Sequence, residues 1–529
     1  MKSLGLLLWA LVPVLPFLVV GGVVDVLGVA WDVLLVAGLA SIATARQKEP
    51  RVGWPAAVAL GLVWSVALTY SLALAGSRLA TDEQLPLYDL SLLIRPLVVV
   101  AADLYGPPIY ALAVGVMLLP IAFTAFGATA VRRLLPVGRP IVLGLLSLLF
   151  VAAPGSHALL YALGVDIVAS WQLASVFDAE RAARPHDDVL ALTLADDAAR
   201  RPDVHVYVVE SYGTAIRGLD GGGGWVQSLV QLDEEARAGG WYTAAGVSDA
   251  PVHGGRSWIA DTSVLTGLRV ATQSNYERAT AIADRIPTLP SFFRDRGYTT
   301  VLVRPSDRER PGVLLQNRFH FQRTVFFDDI GYTGPAVGWG HIPDQYTLHV
   351  AHRDVIDPVD GPTFAFFHLA TSHLPWLYRP QVLDDPLAIL AKDGEREQML
   401  RIRKRHQELR MQAKRFTDGD GLKDMDRSRE QSNYVATVIY DLESIVQQVG
   451  APHGDRPRLV VIYGDHQPPF LARGEPPTVP VHVMASEPEL LRPFLEAGFR
   501  PGLGLRGYTA VVEHRDFFPI VARAAAAVR

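Results

Sequence analysis

The sequence predicts a two-part chain. An N-terminal α-helical transmembrane bundle of about five spans occupies residues 1–165, and an extracytoplasmic α/β domain with a largely parallel central sheet occupies residues 203–529. A linker or interfacial helix region, 166–202, joins them. Three observations predict this. Residues up to about 175 are overwhelmingly apolar, whereas the remainder has the charge density and turn residues of a globular domain. Beyond residue 203, short apolar runs alternate with helical patterns, the signature of βα units. Most of those runs end in chemically capable polar residues, and ligands of parallel α/β sheets bind beyond the carboxyl ends of the strands.

In the first part, the apolar stretches 4–23, 26–45, 54–75, 107–130 and 140–162 each approach the roughly 20 residues that a bilayer-spanning helix needs. The first is too long for a signal peptide and is followed by further spans, so it is expected to remain in the mature chain. Asp25 and Asp32 beside the second span count against it, because a carboxylate in hydrocarbon is costly. The stretch 91–106 carries Arg95 and Asp103 and precedes Pro107-Pro108, which reads as an interfacial or re-entrant segment rather than a sixth span. Lys2, "ARQKEPR" and "VRRLLPVGR" fall on one side of a five-span arrangement, while "TDEQLPLYDL" is acidic. Basic short loops mark the cytoplasmic side, so the C-terminal domain is expected outside the cytoplasm. A net charge of −5 argues against a nucleic-acid partner. The absence of cysteine excludes disulfides, Cys-ligated zinc, iron–sulfur clusters and thiol nucleophiles.

In the second part the apolar runs are "VHVYVVES", "TTVLVRP", "TFAFFHLATSH", "RLVVIYGDH" and "VPVHVMAS". Helical patterns cover "LPSFFRDRGY", "YVATVIYDLESIVQQV" and "RDFFPIVARAAAAVR". Glu210, His373, Asp465 and His466 end three of the strands, a set of oxygen and imidazole donors suited to zinc, manganese or a similar divalent ion. The candidate nucleophile is Ser257 in "HGGRSWIADTSVLTG", where two glycines permit close backbone approach and a helix begins. A helix N-terminus offers free N–H groups to an anionic phosphate, and a metal beside that serine would activate its hydroxyl. Each residue also has a plainer reading. Glu210 can cap the following helix, Gly-Asp-His can be a turn, and Ser257 can be an N-cap. The glycines 221–224 lack the lysine and serine of a phosphate-binding loop, and the basic run 401–415 reads as a solvated helix face or a surface for anionic lipid head groups.

"VVESYG", the Gly-Arg-Ser segment, "TSHLPW" and "YGDHQPP", in this order behind membrane spans, resemble the membrane-anchored phosphoglycerol and phosphoethanolamine transferases. That family includes the lipoteichoic acid synthases and belongs to the alkaline phosphatase/sulfatase superfamily. The resemblance implies an alkaline phosphatase-like domain with one divalent ion, manganese or zinc with magnesium as the alternative, held by Glu210, Ser257, Asp465 and His466. Ser257, where the synthases usually have threonine, is then the nucleophile that becomes covalently modified. His373 is expected to contact the transferred phosphoryl group or move a proton, and Arg256 and His253 to neutralise phosphate charge. Arg304, Trp339 and Asp344 match substrate-pocket segments less specifically, and His482 is expected to line the pocket or hold a second metal.

Departures from related branches narrow the expectation. Ser257 lacks the Cys/Ser-x-Pro-x-Arg context of sulfatases, and the lipid A-modifying phosphoethanolamine transferases usually carry disulfides that this chain cannot form. The expected activity is transfer of phosphoglycerol from a membrane phospholipid, phosphatidylglycerol or phosphatidylethanolamine being the donors in view, to an envelope glycan, lipid or polymer hydroxyl. The alternatives are phosphoethanolamine transfer by the same chemistry and a non-catalytic lipid-binding regulator. The expected location is the bacterial inner membrane, multi-pass, with the catalytic domain on the outer face.

Overall fold

A computed structural model describes residues 53–81, 85–134, 159–182, 187–308, 317–334, 336–339, 342–390, 420–450, 456–472 and 474–528. The chain divides into two compact units, one running to Val176 and the other beginning at Phe177.

In the first unit the described helices are α1 (Trp54–Thr81), α2 (Leu87–Tyr105), α3 (Pro108–Leu134) and the start of α4 (Leu159–Ala182). Helices α1 and α3 meet through glycines. A Cβ on Gly61 would strike the Thr124 carbonyl and lie 2.6 Å from the Ala128 amide, and one on Gly127 would lie 3.0 Å from the Gly61 Cα. Small residues let helix backbones approach this closely, which is how helices associate where hydrophobic burial offers no drive. Trp64 fills the space beside the crossing, its ring edge-on to Phe123. Leu112, Val116, Met117 and Ile121 are exposed along α3, an apolar surface of the kind a bilayer covers. Ala57–Arg78 and Pro108–Ala130 are long and apolar enough to cross a membrane. They correspond to the expected spans 54–75 and 107–130. The expected spans 4–23 and 26–45 and most of 140–162 lie outside the described residues. The stretch 91–106 falls in α2, a helix that passes through Pro96.

The second unit is built on one mixed sheet. In chain order its strands are β1 (Asp203–Val209), β2 (Tyr242–Asp249), β3 (Thr299–Arg304), β4 (Arg323–Phe326), β5 (Thr363–His368), β6 (Arg458–Gly464), β7 (Thr478–Ala485), β8 (Arg500–Pro501) and β9 (Val512–Glu513). The spatial order is β4-β3-β5-β1-β6-β7-β2-β8, with β9 on β2. Pairs from β4 to β6 are parallel, whereas β7 is antiparallel to β6 and β2 antiparallel to β7. The expected largely parallel sheet is therefore corrected to a mixed one. Parallel neighbours need a long crossover, usually a helix, whereas residues 465–477 join β6 to β7 without one, so the chain turns back.

Helices cover both faces, which is why the central strands read as unbroken apolar runs. Val204, Val206 and Val208 of β1 pack on one side with Phe292, Phe494 and Phe518. Tyr207 and Val209 pack on the other with Trp225, Leu348, Tyr434 and Leu442. The helices supplying these residues are α5 (Gly222–Ala238), α8 (Leu289–Arg294), α9 (Asp344–Ala351), α10 (Asp420–Val449), α11 (Pro488–Glu496) and α12 (Phe517–Ala525); α6 (Ser257–Thr266) and α7 (Gln273–Ala281) lie between α5 and α8 in sequence.

Register then positions the chemistry. Val209 of β1 pairs with Gly464 of β6, so the next residues, Glu210 and Asp465, emerge side by side. Val208 pairs with His368 on the other flank. Gly464 has to be glycine, since a Cβ there would collide with the carbonyl of Tyr212 on the turn after β1. Gly464→Ala is expected to cost about 1–3 kcal/mol through this overpacking and to lower the unfolding midpoint of the full-length protein in a thermal melt.

Candidate active site

Glu210 leaves β1 into a tight turn in which Ser211 adopts φ 59°. The Ser211 N–H donates to Asp465 Oδ1 at 2.7 Å, and Tyr434 O–H donates to the Ser211 carbonyl at 2.7 Å. The turn after β1 is thus tied to the acid that follows β6. His466 N–H donates to Asp465 Oδ1 at 2.8 Å, and His466 Nδ1 pairs with the Gln467 carbonyl at 2.8 Å. This partnership places the proton on Nδ1 and leaves Nε2 facing the acids, 3.2 Å from Glu210 Oε1 and 3.4 Å from Asp465 Oδ2. Ligand atoms of Glu210, Asp465 and His466 all fall within 4.8 Å of one another, and all three residues are buried.

Ser257 completes the group from a different element. The segment before it runs through positive φ at Gly254, Gly255 and Arg256, at 64°, 142° and 66°, and this left-handed run delivers Ser257 as the first residue of α6. Its hydroxyl donates to Glu210 Oε2 at 2.8 Å and lies 3.3 Å from His466 Nε2. The structure therefore brings together Glu210, Ser257, Asp465 and His466.

Two acids and an imidazole so close require positive charge. Burial, then the neighbouring Glu210 carboxylate, pushes the Asp465 carboxyl up to about 7. Burial disfavours the charged form of His466, yet Asp465 and Glu210 outweigh it and raise the imidazole to about 9. Burial likewise opposes ionisation of Glu210, but hydrogen bonds from His368 and His466 hold it well below the usual carboxylate range. Asp465 Oδ2 is buried with no hydrogen-bond partner. An oxygen and imidazole set with an unpartnered carboxylate oxygen fits a divalent cation.

Other expected residues fall around this cluster in different ways. His373 pairs through Nδ1 with the Leu374 carbonyl and stacks on Trp339, ring centroids 4.9 Å apart. Burial depresses the His373 imidazole, opposed by the charge of Glu210. Arg256 and His253 are buried in the segment leading to Ser257. Arg304 pairs with Asp261 at 3.3 Å and with Asp307 at 3.4 Å. Asp344 and His482 are not part of the group. The Asp344 carboxylate accepts the N–H groups of Ala370 and Thr371, and both His482 nitrogens are taken, by Tyr212 O–H and the Leu503 carbonyl, each at 2.9 Å.

Sequence reasoning missed His368 and Asp261. His368 Nε2 lies 3.0 Å from Glu210 Oε2 and its Nδ1 2.8 Å from Asp261 Oδ2, bridging two buried acids. Asp261 sits one helical turn beyond Ser257, so the i,i+4 spacing puts both on one face of α6. That spacing, and a histidine closing the run "TFAFFH", were the available signals.

A ligand set must lose its protons to bind metal. With His466 raised to about 9 and Asp465 to about 7, metal binding is expected to release one proton between pH 7 and 9 and two below pH 7. Affinity should accordingly weaken as pH falls. Calorimetric titration with zinc in buffers of different ionisation enthalpy measures the protons released.

No family model matches the chain, and no curated protein does. Among solved structures, the chain is similar to the lipoteichoic acid synthase LtaP from Listeria monocytogenes, with a TM-score of 0.37, 15% identity, and 63% of this chain and 75% of that one covered. It is similar to the Streptococcus pyogenes phosphoglycerol transferase GacH in complex with sn-glycerol-1-phosphate, with a TM-score of 0.35, 12% identity, and 65% and 78% covered. It is also similar to the integral membrane lipooligosaccharide phosphoethanolamine transferase EptA from Neisseria meningitidis, with a TM-score of 0.44, 14% identity, and 94% and 98% covered. At this level of identity, function has to be argued from the chain's own residues.

Proposed function

We propose that this protein is a metal-dependent transferase that moves a phosphoglycerol head group from a membrane phospholipid, through a covalent Ser257 intermediate, to an acceptor hydroxyl on an envelope glycan, lipid or polymer. One observation carries the reading. The Ser257 hydroxyl stands at the N-terminus of α6 and hydrogen bonds to Glu210 inside the buried Glu210–Asp465–His466 group.

Glu210, Asp465, His466 and the Ser257 hydroxyl would hold the divalent ion, which supplies Lewis-acid stabilisation of negative charge when bound. In the first half-reaction Ser257 Oγ forms a bond to phosphorus while the bond from phosphorus to the diacylglycerol oxygen breaks. The serine proton ends on the departing diacylglycerol. In the second, an acceptor hydroxyl oxygen bonds to phosphorus, the Ser257 ester breaks, and the acceptor proton returns to the serine. The free N–H groups at the start of α6 and the Arg256 guanidinium stabilise charge on the phosphoryl oxygens. His373, with Nδ1 engaged by Leu374, keeps Nε2 for the phosphoryl group or for proton transfer.

The lipid donor accounts for apolar helices in the same chain, and the proposed location is an envelope membrane with the second unit on its outer side. Phosphoethanolamine transfer differs only in the head group carried. Incubating the protein with a divalent ion and labelled phosphatidylglycerol or phosphatidylethanolamine, then measuring intact mass, separates the two by the adduct formed. Glycerophosphate on Ser257 is the expected result. Neither adduct nor diacylglycerol from either lipid, with metal bound, would mean a different donor or a non-catalytic lipid sensor.

Ser257→Ala is expected to reduce turnover at least about a thousandfold with the melting transition retained, as for other nucleophiles that act within a catalytic unit. His373→Ala should cost about 100- to 10,000-fold in turnover, the range of general acid–base and phosphoryl-positioning groups. Both losses are read in a diacylglycerol-release assay.

A further inference from the structure

A second pair of buried acids lies outside the proposed chemistry. Asp344 opens α9 and Asp441 lies within α10, and both are fully buried. Asp344 Oδ2 accepts the backbone N–H of Ala370 at 2.9 Å and that of Thr371 at 2.5 Å, while Thr371 Oγ1 accepts the Asp344 N–H at 3.0 Å. The carboxylate is therefore clamped as an acceptor to the loop that leads into His373, and His373 N–H closes that loop on the Ala370 carbonyl at 3.1 Å.

The other oxygens are the puzzle. Asp344 Oδ1 and both Asp441 oxygens are buried and make no hydrogen bond of good geometry, and the donors nearest Asp441, the Ser372 hydroxyl and N–H, do not outweigh its burial. The Gln345 N–H donates to the Tyr440 hydroxyl oxygen at 3.2 Å, tying the start of α9 to α10 beside both acids, and the neighbouring Asp344 and Asp441 carboxyls act on each other, with Ser372 beside Asp441. Two ionised carboxylates in such a place would each be acceptor-only and would repel. Among the described residues, the groups that act most strongly on the pair bring no cation to offset this. From the loop come Ser372 and Tyr378, from α10 Tyr440 with Ser444 beside it, and behind Tyr378 stands Tyr332. All are neutral at physiological pH.

We propose that Asp344 and Asp441 share a single proton, Asp441 donating it to the ionised Asp344, and that this pair is the positioning element for the Ala370–His373 loop. The proton turns a repulsion into a hydrogen bond and leaves one net negative charge, which the Ala370 and Thr371 amides solvate. The proposal deepens the transferase reading, on which it rests only for the role of His373. The pH dependence has a definite sign. Burial, then the charge of Asp344, raises the Asp441 carboxyl well above its ordinary value. A group raised in the folded state contributes stability at low pH and loses it as pH rises through the folded value. Raising the pH through the folded value of Asp441 should therefore loosen this loop.

The test compares wild type with Asp441→Asn in the full-length protein, because an amide keeps the shape and supplies a permanent donor. Unfolding midpoint and phosphatidylglycerol turnover are measured as pH is raised from mildly acidic to alkaline. Wild type is expected to lose both progressively relative to Asp441→Asn, which keeps its neutral-pH activity. Identical pH dependence in the two proteins overturns the proposal. If the variant does not fold, infrared spectroscopy of wild type decides: a protonated carboxylic acid band that persists above the ordinary carboxylate range and fades as pH is raised further supports the shared proton, and its absence overturns it. A divalent ion still bound to Glu210→Gln/Asp465→Asn, and released by Asp441→Asn, also overturns it, since the pair would then be ionised around a metal. The midpoint and the infrared band need no substrate. No head-group transfer at any pH, with the midpoint difference intact, supports the pair and counts against the transferase reading.

Discussion

The pairing of β1 with β6 is the constraint on which the site depends. Because Val209 lies opposite Gly464 in a parallel ladder, the chain has to release Glu210 and Asp465 at the same level of the sheet, buried and adjacent. Two acids in such a place are unstable as a pair of free ions. The surroundings consist largely of responses to that fact. His466 and His368 each bring an imidazole to Glu210, the Ser211 and His466 amides bind Asp465, and Ser257 approaches from the start of α6. What these groups leave is an acid oxygen, Asp465 Oδ2, that makes no hydrogen bond and lies 3.4 Å from His466 Nε2, the feature that calls for a cation.

The same logic extends outward from the centre. His368 bridges Glu210 to Asp261, and Asp261 in turn meets Arg304, so alternating charge runs from the acids to the margin of the site. On the other flank, Asp344 uses its carboxylate on the backbone of the loop bearing His373, and His373 lies against Trp339. These residues act at the centre by fixing the positions of others. Placing catalytic groups on strand ends and a helix start, supported by such partners, favours fixed geometry over adaptability.

Much of this was legible in the sequence, for physical reasons. Five strands could be read because burial on both faces leaves unbroken apolar runs, and their polar endings marked the site edge. Strand β2, "YTAAGVSD", escaped because its burial uses small and polar residues. A Cβ on Gly246 would lie 2.9 Å from the Phe499 ring, and Ser248 pairs with His514 at 2.9 Å. Strand direction was also hidden, since an apolar run has no polarity, and the antiparallel β7 depended on a connection that lacks a helix. Residue types at element ends offered Glu210, His373, Asp465 and His466 as donors with Ser257 as nucleophile, and the family resemblance implied the set of Glu210, Ser257, Asp465 and His466. Asp344 and His482 were read as pocket residues because nothing in a sequence shows that a carboxylate faces backbone amides or that an imidazole faces a tyrosine hydroxyl.

The central claim is that the acids after β1 and β6, together with Ser257, hold a divalent cation. Anomalous diffraction from crystals grown with zinc or manganese tests it most directly. One strong anomalous peak is expected, bounded by Glu210, Asp465, His466 and the Ser257 hydroxyl. The peak should disappear in Glu210→Gln/Asp465→Asn crystals. A folded domain with no anomalous peak among these residues at saturating metal would contradict it, and the buried acids would then have to be neutralised by protons alone.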